Sequence, residues 1–254
     1  MTTGRFVWTT ALMIAGLSMA ACKSQIGRAA SPEPKSAVEK SPWEPTDHYQ
    51  RQQIEGWTVL VNKRLLDEEH NAIRGRTLRL LEDHLYRIVR VVPEEPTAKL
   101  QNIRIWVELS DPKFPCMCYH ESADWLRDHG LNPEKAGGVE LANPETFWTW
   151  THEQPWMVLH ELAHGYHDQV LGHDHKGIRE CYERAVASKS YESVLHYDGR
   201  KVRHYALSND KEYFAEATEA FFGTNDFYPF VRSELKAHDP KMHELLKEVW
   251  GVTK

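Results

Sequence analysis

The sequence predicts an α+β domain in which a small mixed sheet packs on helices. Segments with strand character alternate with helical segments in the first part of the chain, whereas helical periodicity dominates the last part. About 200 residues follow residue 46, which is enough chain for one domain with its own core. The formal net charge is −6 and the basic residues are scattered along the chain. A groove that binds nucleic acid is therefore not expected.

The spacing of apolar residues predicts the individual elements. Strands are expected where apolar and β-branched residues cluster or alternate with polar ones, at residues 54–61, 103–109 and 139–143. Helices are expected where apolar residues recur every three or four positions, at residues 65–91, 122–130, 154–170 and 209–222, with one or two more between 230 and 250. Residues 191–205 predict a hairpin that turns at Asp198 and Gly199, and the Pro- and Cys-rich residues 112–120 predict a loop.

The amino-terminal segment predicts export from the cytoplasm. Residues 1–21 carry a single Arg followed by an apolar run that is short for a membrane span, a pattern typical of a signal peptide. The run ends in LSMAAC, which resembles the cleavage site of bacterial lipoproteins, so that Cys22 would become the lipidated first residue. Met19 stands where that site usually has Leu, and ordinary cleavage after Ala20 is the alternative.

Residues 22–46 are rich in Pro, Ser, Lys and Glu and have almost no apolar periodicity. Such a segment cannot bury enough apolar surface to fold by itself. We therefore expect a disordered tether between a membrane and a domain at residues 47–254. A disordered leader without a spacing role is the alternative.

Three cysteines follow the tether, namely Cys116, Cys118 and Cys181. Export would permit a disulfide bond from Cys181 to either of the other two. The Cys-x-Cys pair also hints at metal binding, although no fourth ligand is obvious in the sequence. Both interpretations stay open.

The stretch HELAH at residues 160–164 is the most informative pattern in the chain. Residues four apart lie on one face of a helix, so His160 and His164 can bind one metal ion together. Glu161 follows the first histidine and can act as the general base on a water that the ion binds. A surface helix with two His and a Glu is the alternative. The predicted helix is largely apolar, however, and burying these polar groups without partners would be costly.

The third ligand of such an ion decides the class of site. Zinc hydrolases usually bind the ion through three protein ligands and a water. The long form HExxHxxGxxH is excluded because His167 and Val170 stand where it has Gly and His. Asp168 lies too far along a straight helix to reach the same ion. The remaining source of a third ligand is the helix predicted at residues 209–222. Three carboxylates share one face of this helix, namely Glu212, Glu216 and Glu219. A solvated acidic face without a metal is the alternative.

HELAH, followed by Tyr205 and by EYFAE at residues 212–216, resembles the zinc peptidases typified by the catalytic domain of anthrax lethal factor and by the clostridial Pro-Pro endopeptidases. The resemblance covers residues 154–222, and the rest of the chain is similar to secreted bacterial lipoproteins. It implies a zincin-like fold, one zinc ion and hydrolysis of peptide bonds. Substrate preference does not carry over, because the docking domains of lethal factor and a proline-pocket signature are absent from the sequence.

The resemblance also implies roles for individual residues. Glu212 would be the third zinc ligand, which would make the site gluzincin-like, and Tyr205 would stabilise the oxyanion. Glu216 or Asp168 would accept a hydrogen bond from a ligand imidazole. For Tyr205, packing in the core is the alternative. Three further histidines near the end of the HELAH helix are expected to be solvated: His167, His173 and His175.

Together these observations predict an exported zinc endopeptidase that cleaves a peptide or protein held in extended form. The strand that begins at Val139 and ends at Asn143 precedes the HELAH helix, and as an edge strand it would pair with that substrate. An amidase that acts on cell-wall peptides is one alternative. A non-enzymatic, zinc-stabilised binding module of the cell envelope is the other, but a purely structural zinc site does not need Glu161.

Overall fold

Residues 43–253 are described by the structure, which is a computed structural model. The predicted signal peptide, Cys22 and the tether up to residue 42 lie outside the described residues, so the predicted domain boundaries stay a prediction. Within the described range, no helix combines the length and apolar character that crossing a bilayer requires.

A five-stranded mixed sheet is the frame of the domain. Its strands are β1 (Tyr49–Ile54), β2 (Trp57–Asn62), β3 (Ile105–Val107), β4 (Met117–Tyr119) and β5 (Val139–Leu141). They lie in the order β1-β2-β3-β5-β4 across the sheet. The strands β2, β3 and β5 are parallel, whereas β1 and β4 run antiparallel to their neighbours.

Helices pack against this sheet and make up most of the carboxyl-terminal half. In chain order they are α1 (Asn71–Val91), α2 (Glu94–Leu100), α3 (Ala123–Asp128), α4 (Pro144–Glu153), α5 (Met157–Tyr166), α6 (Lys176–Ser188), α7 (Asp210–Phe222), α8 (Arg232–His238) and α9 (Pro240–Val249). A two-stranded sheet of β6 (Val194–Leu195) and β7 (Lys201–Val202) falls between α6 and α7 in the chain. The predicted α+β fold, with a mixed sheet packed on helices, is confirmed.

Two of the expected boundaries in the sheet are wrong. The strand expected over residues 54–61 is the second half of a hairpin, because Glu55 and Gly56 adopt φ angles of 49° and 89° and reverse the chain between β1 and β2. The loop expected over residues 112–120 contains β4. Helix α4, directly after β5, has no counterpart among the predicted elements.

The predicted hairpin around Asp198 and Gly199 is confirmed as β6 and β7. It is shorter than expected, and Tyr205 lies beyond it, at the start of a 3-10 turn over Tyr205–Ser208. This turn leads directly into α7. Tyr205 is therefore placed by the connection to α7 and not by the hairpin.

The two faces of the sheet differ in character because side chains alternate along a strand. One face carries aliphatic residues of all three parallel strands, including Val59, Val107 and Leu141, which join the main core with residues of α1 and α5. The opposite face carries a small separate cluster around Trp106. The HELAH residues of α5 therefore belong to the layer beneath the first face.

Gly165 allows α5 to lie close to the sheet near β4. A Cβ atom at this position would come within 2.6 Å of Ile103 Cδ1 and 3.1 Å of Tyr119 Cε2. The shorter of these distances is below what real Cβ atoms show, so any other residue would require the end of the Ile103 side chain to shift. The residue directly after HELAH thus allows α5 to pack closely against Ile103 and Tyr119.

The strand predicted to offer an open edge is an inner one. The segment from Val139 to Asn143 forms β5, which pairs with β3 on one side and with β4 on the other. Both of its edges are occupied, so the expectation that it pairs with an extended substrate is wrong. At this side of the sheet the outermost of the described strands is β4.

Candidate metal centre

Helices α5 and α7 bring three donor atoms together. The Nε2 atom of His160 lies 3.1 Å from Glu212 Oε2, and the Nε2 atom of His164 lies 3.3 Å from the same oxygen. Zinc bonds of about 2.0–2.1 Å in a tetrahedral arrangement separate nitrogen and oxygen donors by about 3.3 Å. The observed spacing therefore fits a zinc ion bound by two imidazoles and one carboxylate.

The start of α7 directs Glu212 at the histidines. Asn209 caps the helix, and its Oδ1 accepts hydrogen bonds from the N–H groups of Lys211 and Glu212. Asn209 is thus the N-cap residue of α7. The carboxylate of Glu212 is turned to the two imidazoles, whereas a capping box would require it to bond back to the Asn209 N–H.

The pKa values of His160 and Glu212 are strongly shifted in opposite directions. Burial lowers the pKa of His160, but hydrogen bonds to Glu212 and Glu219 outweigh burial and hold the pKa well above that of a free imidazole. Burial raises the pKa of Glu212, but hydrogen bonds from His160 and His164 outweigh it and hold that pKa well below its usual range. This cluster attracts positive charge at one point, as a binding site for a divalent cation must.

The carboxylate that orients His160 is Glu219. The Nδ1 atom of His160 lies 2.7 Å from Glu219 Oε1, but 3.9 Å from the nearest oxygen of Glu216. The expectation that Glu216 or Asp168 accepts this hydrogen bond is corrected accordingly. Glu219 follows Glu212 by seven residues, two helical turns, so its place on the same face was visible in the sequence.

Glu216 belongs to a different buried group. Its Oε2 accepts a hydrogen bond of 2.8 Å from Asn225 Nδ2. Burial, Asp226 and Glu219 together raise the pKa of Glu216 well above its usual range. Burial and Glu219 also raise the pKa of Asp226, to about 7. Glu216 therefore bonds to Asn225, whereas Glu219 bonds to His160.

Asp168 ties the end of the HELAH helix to β4. It lies in a π-helical turn over His167–Leu171 that continues α5, and the hydroxyl of Tyr119 donates a hydrogen bond of 2.6 Å to its Oδ2. Its other oxygen lies 3.1 Å from His173 Nε2. Asp168 thus holds the frame of the site and does not contact the imidazoles of His160 and His164.

His167 is not solvated as expected. Its side chain is buried, with its ring 5.2 Å from that of Phe214, and burial lowers its pKa to about 3. The π-helical turn brings this side chain inward at the place where a solvent-facing helix end was predicted. His167 is therefore a neutral packing residue beside the site.

Glu161 faces the outermost strand. Its Oε2 accepts a hydrogen bond of 2.8 Å from the backbone N–H of Tyr119 in β4. The expected general base thus lies between the helix that carries the histidines and the strand at the sheet edge.

Tyr205 is not a core residue, and the charges of Glu212 and His160 act on the pKa of its hydroxyl. Its side chain is 49% exposed, which excludes the alternative that it packs in the core. Burial of its remaining surface and the nearby Glu212 raise the pKa of its hydroxyl to about 12. The hydroxyl therefore keeps its proton at neutral pH and can donate a hydrogen bond.

Comparison with known proteins gives one similarity of fold. The sequence matches no family profile and no curated protein. Among solved structures, the fold is similar to that of the Pro-Pro endopeptidase PPEP-2 from Paenibacillus alvei, with 16% sequence identity and a TM-score of 0.34. The match covers 78% of this chain and 99% of that chain. A likeness at this level carries no argument about function, which rests on the residues of the site.

Replacing Glu219 by Gln should weaken zinc binding by about 10–100-fold, the usual cost of losing a carboxylate that orients a ligand histidine. A competitive chelator titration measures this affinity. Glu216→Gln is the matched control, because it makes the same change on the same buried helix face. Its affinity should stay near that of the wild type, since the nearest oxygen of Glu216 lies 3.9 Å from His160 Nδ1 and makes no hydrogen bond to it.

Glu212→Ala completes the series. It removes a predicted ligand, so this variant should be isolated largely free of zinc. A larger loss of affinity in Glu216→Gln than in Glu219→Gln would contradict the assignment of Glu219, and full zinc content in Glu212→Ala would contradict that of Glu212.

Proposed function

We propose that this chain is a zinc-dependent endopeptidase that acts outside the cytoplasm. The observation that supports it most is the convergence of His160, His164 and Glu212 at tetrahedral spacing, with Glu161 on the same helix. The first three side chains would hold the ion. A bound zinc ion would act as a Lewis acid that polarises the peptide carbonyl, and it would lower the pKa of the water bound to it toward ~7.

In this proposal Glu161 carries the proton. Its carboxylate takes a proton from the attacking water and hands it to the leaving amine. The hydrogen bond from the Tyr119 N–H fixes one carboxylate oxygen and leaves the other free for this transfer. Glu219 accepts a hydrogen bond from Nδ1 of His160. This bond orients the imidazole and keeps its Nε2 atom available to the metal.

Tyr205 would stabilise the negative charge that develops on the carbonyl oxygen. Its hydroxyl keeps its proton because its pKa is raised to about 12. Tyr205 lies at the start of the turn that leads into α7. The nearby charge of Glu212 contributes to the raised pKa of the Tyr205 hydroxyl. A preorganised donor of this kind contributes to catalysis only when charge appears on the oxygen.

The open edge of β4 is the place for an extended substrate. In an antiparallel ladder alternate residues bond to the neighbouring strand. Cys116 and His120 make those bonds to the segment around β5. The backbone groups of Met117 and Tyr119 therefore point the other way, as the bond from Tyr119 N–H to Glu161 shows. A substrate strand added at this edge would lie beside the proposed base.

Two other functions remain as alternatives for the same site. A cell-wall peptide amidase would use the same zinc chemistry on a different amide. A non-enzymatic zinc-stabilised binding module would not need a general base, and Glu161 beside an open strand edge favours catalysis over it.

Incubating the purified protein with a diverse peptide library and with cell-wall muropeptides tests the function directly. We expect chelator-sensitive cleavage of peptides, and loss of that cleavage in Glu161→Ala while zinc stays near one equivalent at the His160 site. Glu183→Ala, an exposed change on α6, serves as the control and should stay active. Cleavage of muropeptides alone would favour the amidase, and zinc-loaded protein that hydrolyses neither would contradict the enzymatic function.

Tyr205→Phe should lower turnover by about 10²–10³-fold, the cost of removing one oxyanion donor. Zinc content and thermal stability should change little, because the side chain is half exposed. Tyr197→Phe is a matched control, since Tyr197 is 48% exposed on the neighbouring hairpin. Equal turnover of the two variants would remove Tyr205 from the mechanism.

We also propose that Cys22 anchors the exported protein to a membrane through lipid. The proposal follows from the signal-like residues 1–21 and the LSMAAC sequence. Cys22→Ser should release the protein into the soluble fraction or leave it unprocessed. Mass spectrometry of the mature amino terminus provides the check, and an unmodified terminus at Ala21 would show ordinary cleavage instead.

A further inference from the structure

A second group of side chains of metal-ligand type lies on the other face of the sheet. Cys118 and His120 are two residues apart at β4, and Glu140 is directly opposite Cys118 on β5. Residues two apart on a strand point to the same face, and so do cross-strand partners. The ligand atoms of these three side chains all lie within 4.8 Å of one another.

The spacing of the donors suits zinc with one small adjustment. The Sγ atom of Cys118 lies 3.7 Å from His120 Nε2. Tetrahedral zinc, with bonds of about 2.3 Å to sulfur and 2.0 Å to nitrogen, places such donors about 3.5 Å apart. The same nitrogen lies 2.6 Å from Glu140 Oε2, which would have to open to about 3.3 Å to admit the ion.

The carboxylate of Glu140 is already held in place from its other side. The ammonium of Lys135 lies 2.5 Å from Glu140 Oε1 and 2.8 Å from Glu108 Oε1. One lysine therefore faces two buried carboxylates, and Oε2 of Glu140 is left to His120. A divalent ion bound by a thiolate at this point would balance the remaining negative charge.

An access route and room for a water ligand are present. A cavity of about 430 Å³ is lined by Cys118 and His120, and its wall continues over Phe114, Trp125 and Leu126. Metal sites with three protein ligands keep a position for water. Cys118 is a free thiol that is only partly buried, so the sulfur is not committed to a disulfide bond.

We propose that Cys118, His120 and Glu140 form a second zinc site, separate from the His160 cluster. Binding releases the thiol proton to solvent and moves the proton between His120 Nε2 and Glu140 Oε2 to solvent or to Nδ1 of the same ring. The zinc ion is then joined to the sulfur, the Nε2 atom of His120 and the Oε2 atom of Glu140. Two of the ligands lie at β4 and the third on β5. The ion links β4 to β5 and so stabilises the edge of the sheet. The site does not depend on the proposed peptidase activity.

Cobalt titration of the full-length double variant His160→Ala/His164→Ala tests the site, because this variant lacks the first metal centre. We expect one cobalt ion per chain and the near-ultraviolet absorption band that arises only when a thiolate binds the metal. Cys118→Ser in the same background should lose the band. Cys22→Ser and Cys181→Ser are the matched controls and should keep it.

Two results would overturn the proposal, namely no cobalt bound by the double variant, or a thiolate band that survives Cys118→Ser. A second measurement needs no variant. Alkylation of Cys118 in the folded wild-type protein, followed by mass spectrometry, should become much slower when zinc is added. An alkylation rate that zinc leaves unchanged would show that the three side chains form only a hydrogen-bond network.

Discussion

The crossing of α5 with α7 is the contact on which the candidate site depends. Helix α7 is buried along most of its length, including the carboxylates of Glu216 and Glu219. Buried carboxylates are costly unless they are paired. His160 meets Glu212 through one ring nitrogen and Glu219 through the other. One histidine thus pairs two carboxylates of α7 and fixes its own orientation in the same step, while Asn225 pairs Glu216.

The outermost strand is joined to this crossing through one residue. Tyr119 donates its backbone N–H to Glu161 and its hydroxyl to Asp168, and its ring lies against Gly165. The helix that carries the proposed ligands and base is therefore tied to β4 by these contacts. In the proposed mechanism, they fix the strand that would align a substrate relative to the carboxylate that would take a proton from the attacking water, which favours a productive geometry.

The sequence predicted the features that depend on residues close together in the chain, such as helices and their faces. Helical spacing placed His160, Glu161 and His164 on one helix and predicted a second helix over residues 209–222, where α7 lies. The α+β class followed from the order of elements. Contacts between distant segments were not encoded in this way. Three-residue strands such as β4 have too few residues to show alternation. The choice between Glu216 and Glu219 depends on the angle at which two helices cross, because both occupy the same face of α7.

Alternation along β4 also places residues of the two proposed sites on opposite faces of one short strand. Tyr119 turns its ring toward α5, whereas Cys118 and His120 turn to the face on which Glu140 and Lys135 are buried. Residues on opposite faces of a strand belong to the same backbone, but their side chains lie in different surroundings. An ion bound on the outer face would therefore leave the imidazoles of the first site untouched. Its effect would reach them only through the position of β4, which the contacts of Tyr119 transmit to the HELAH helix.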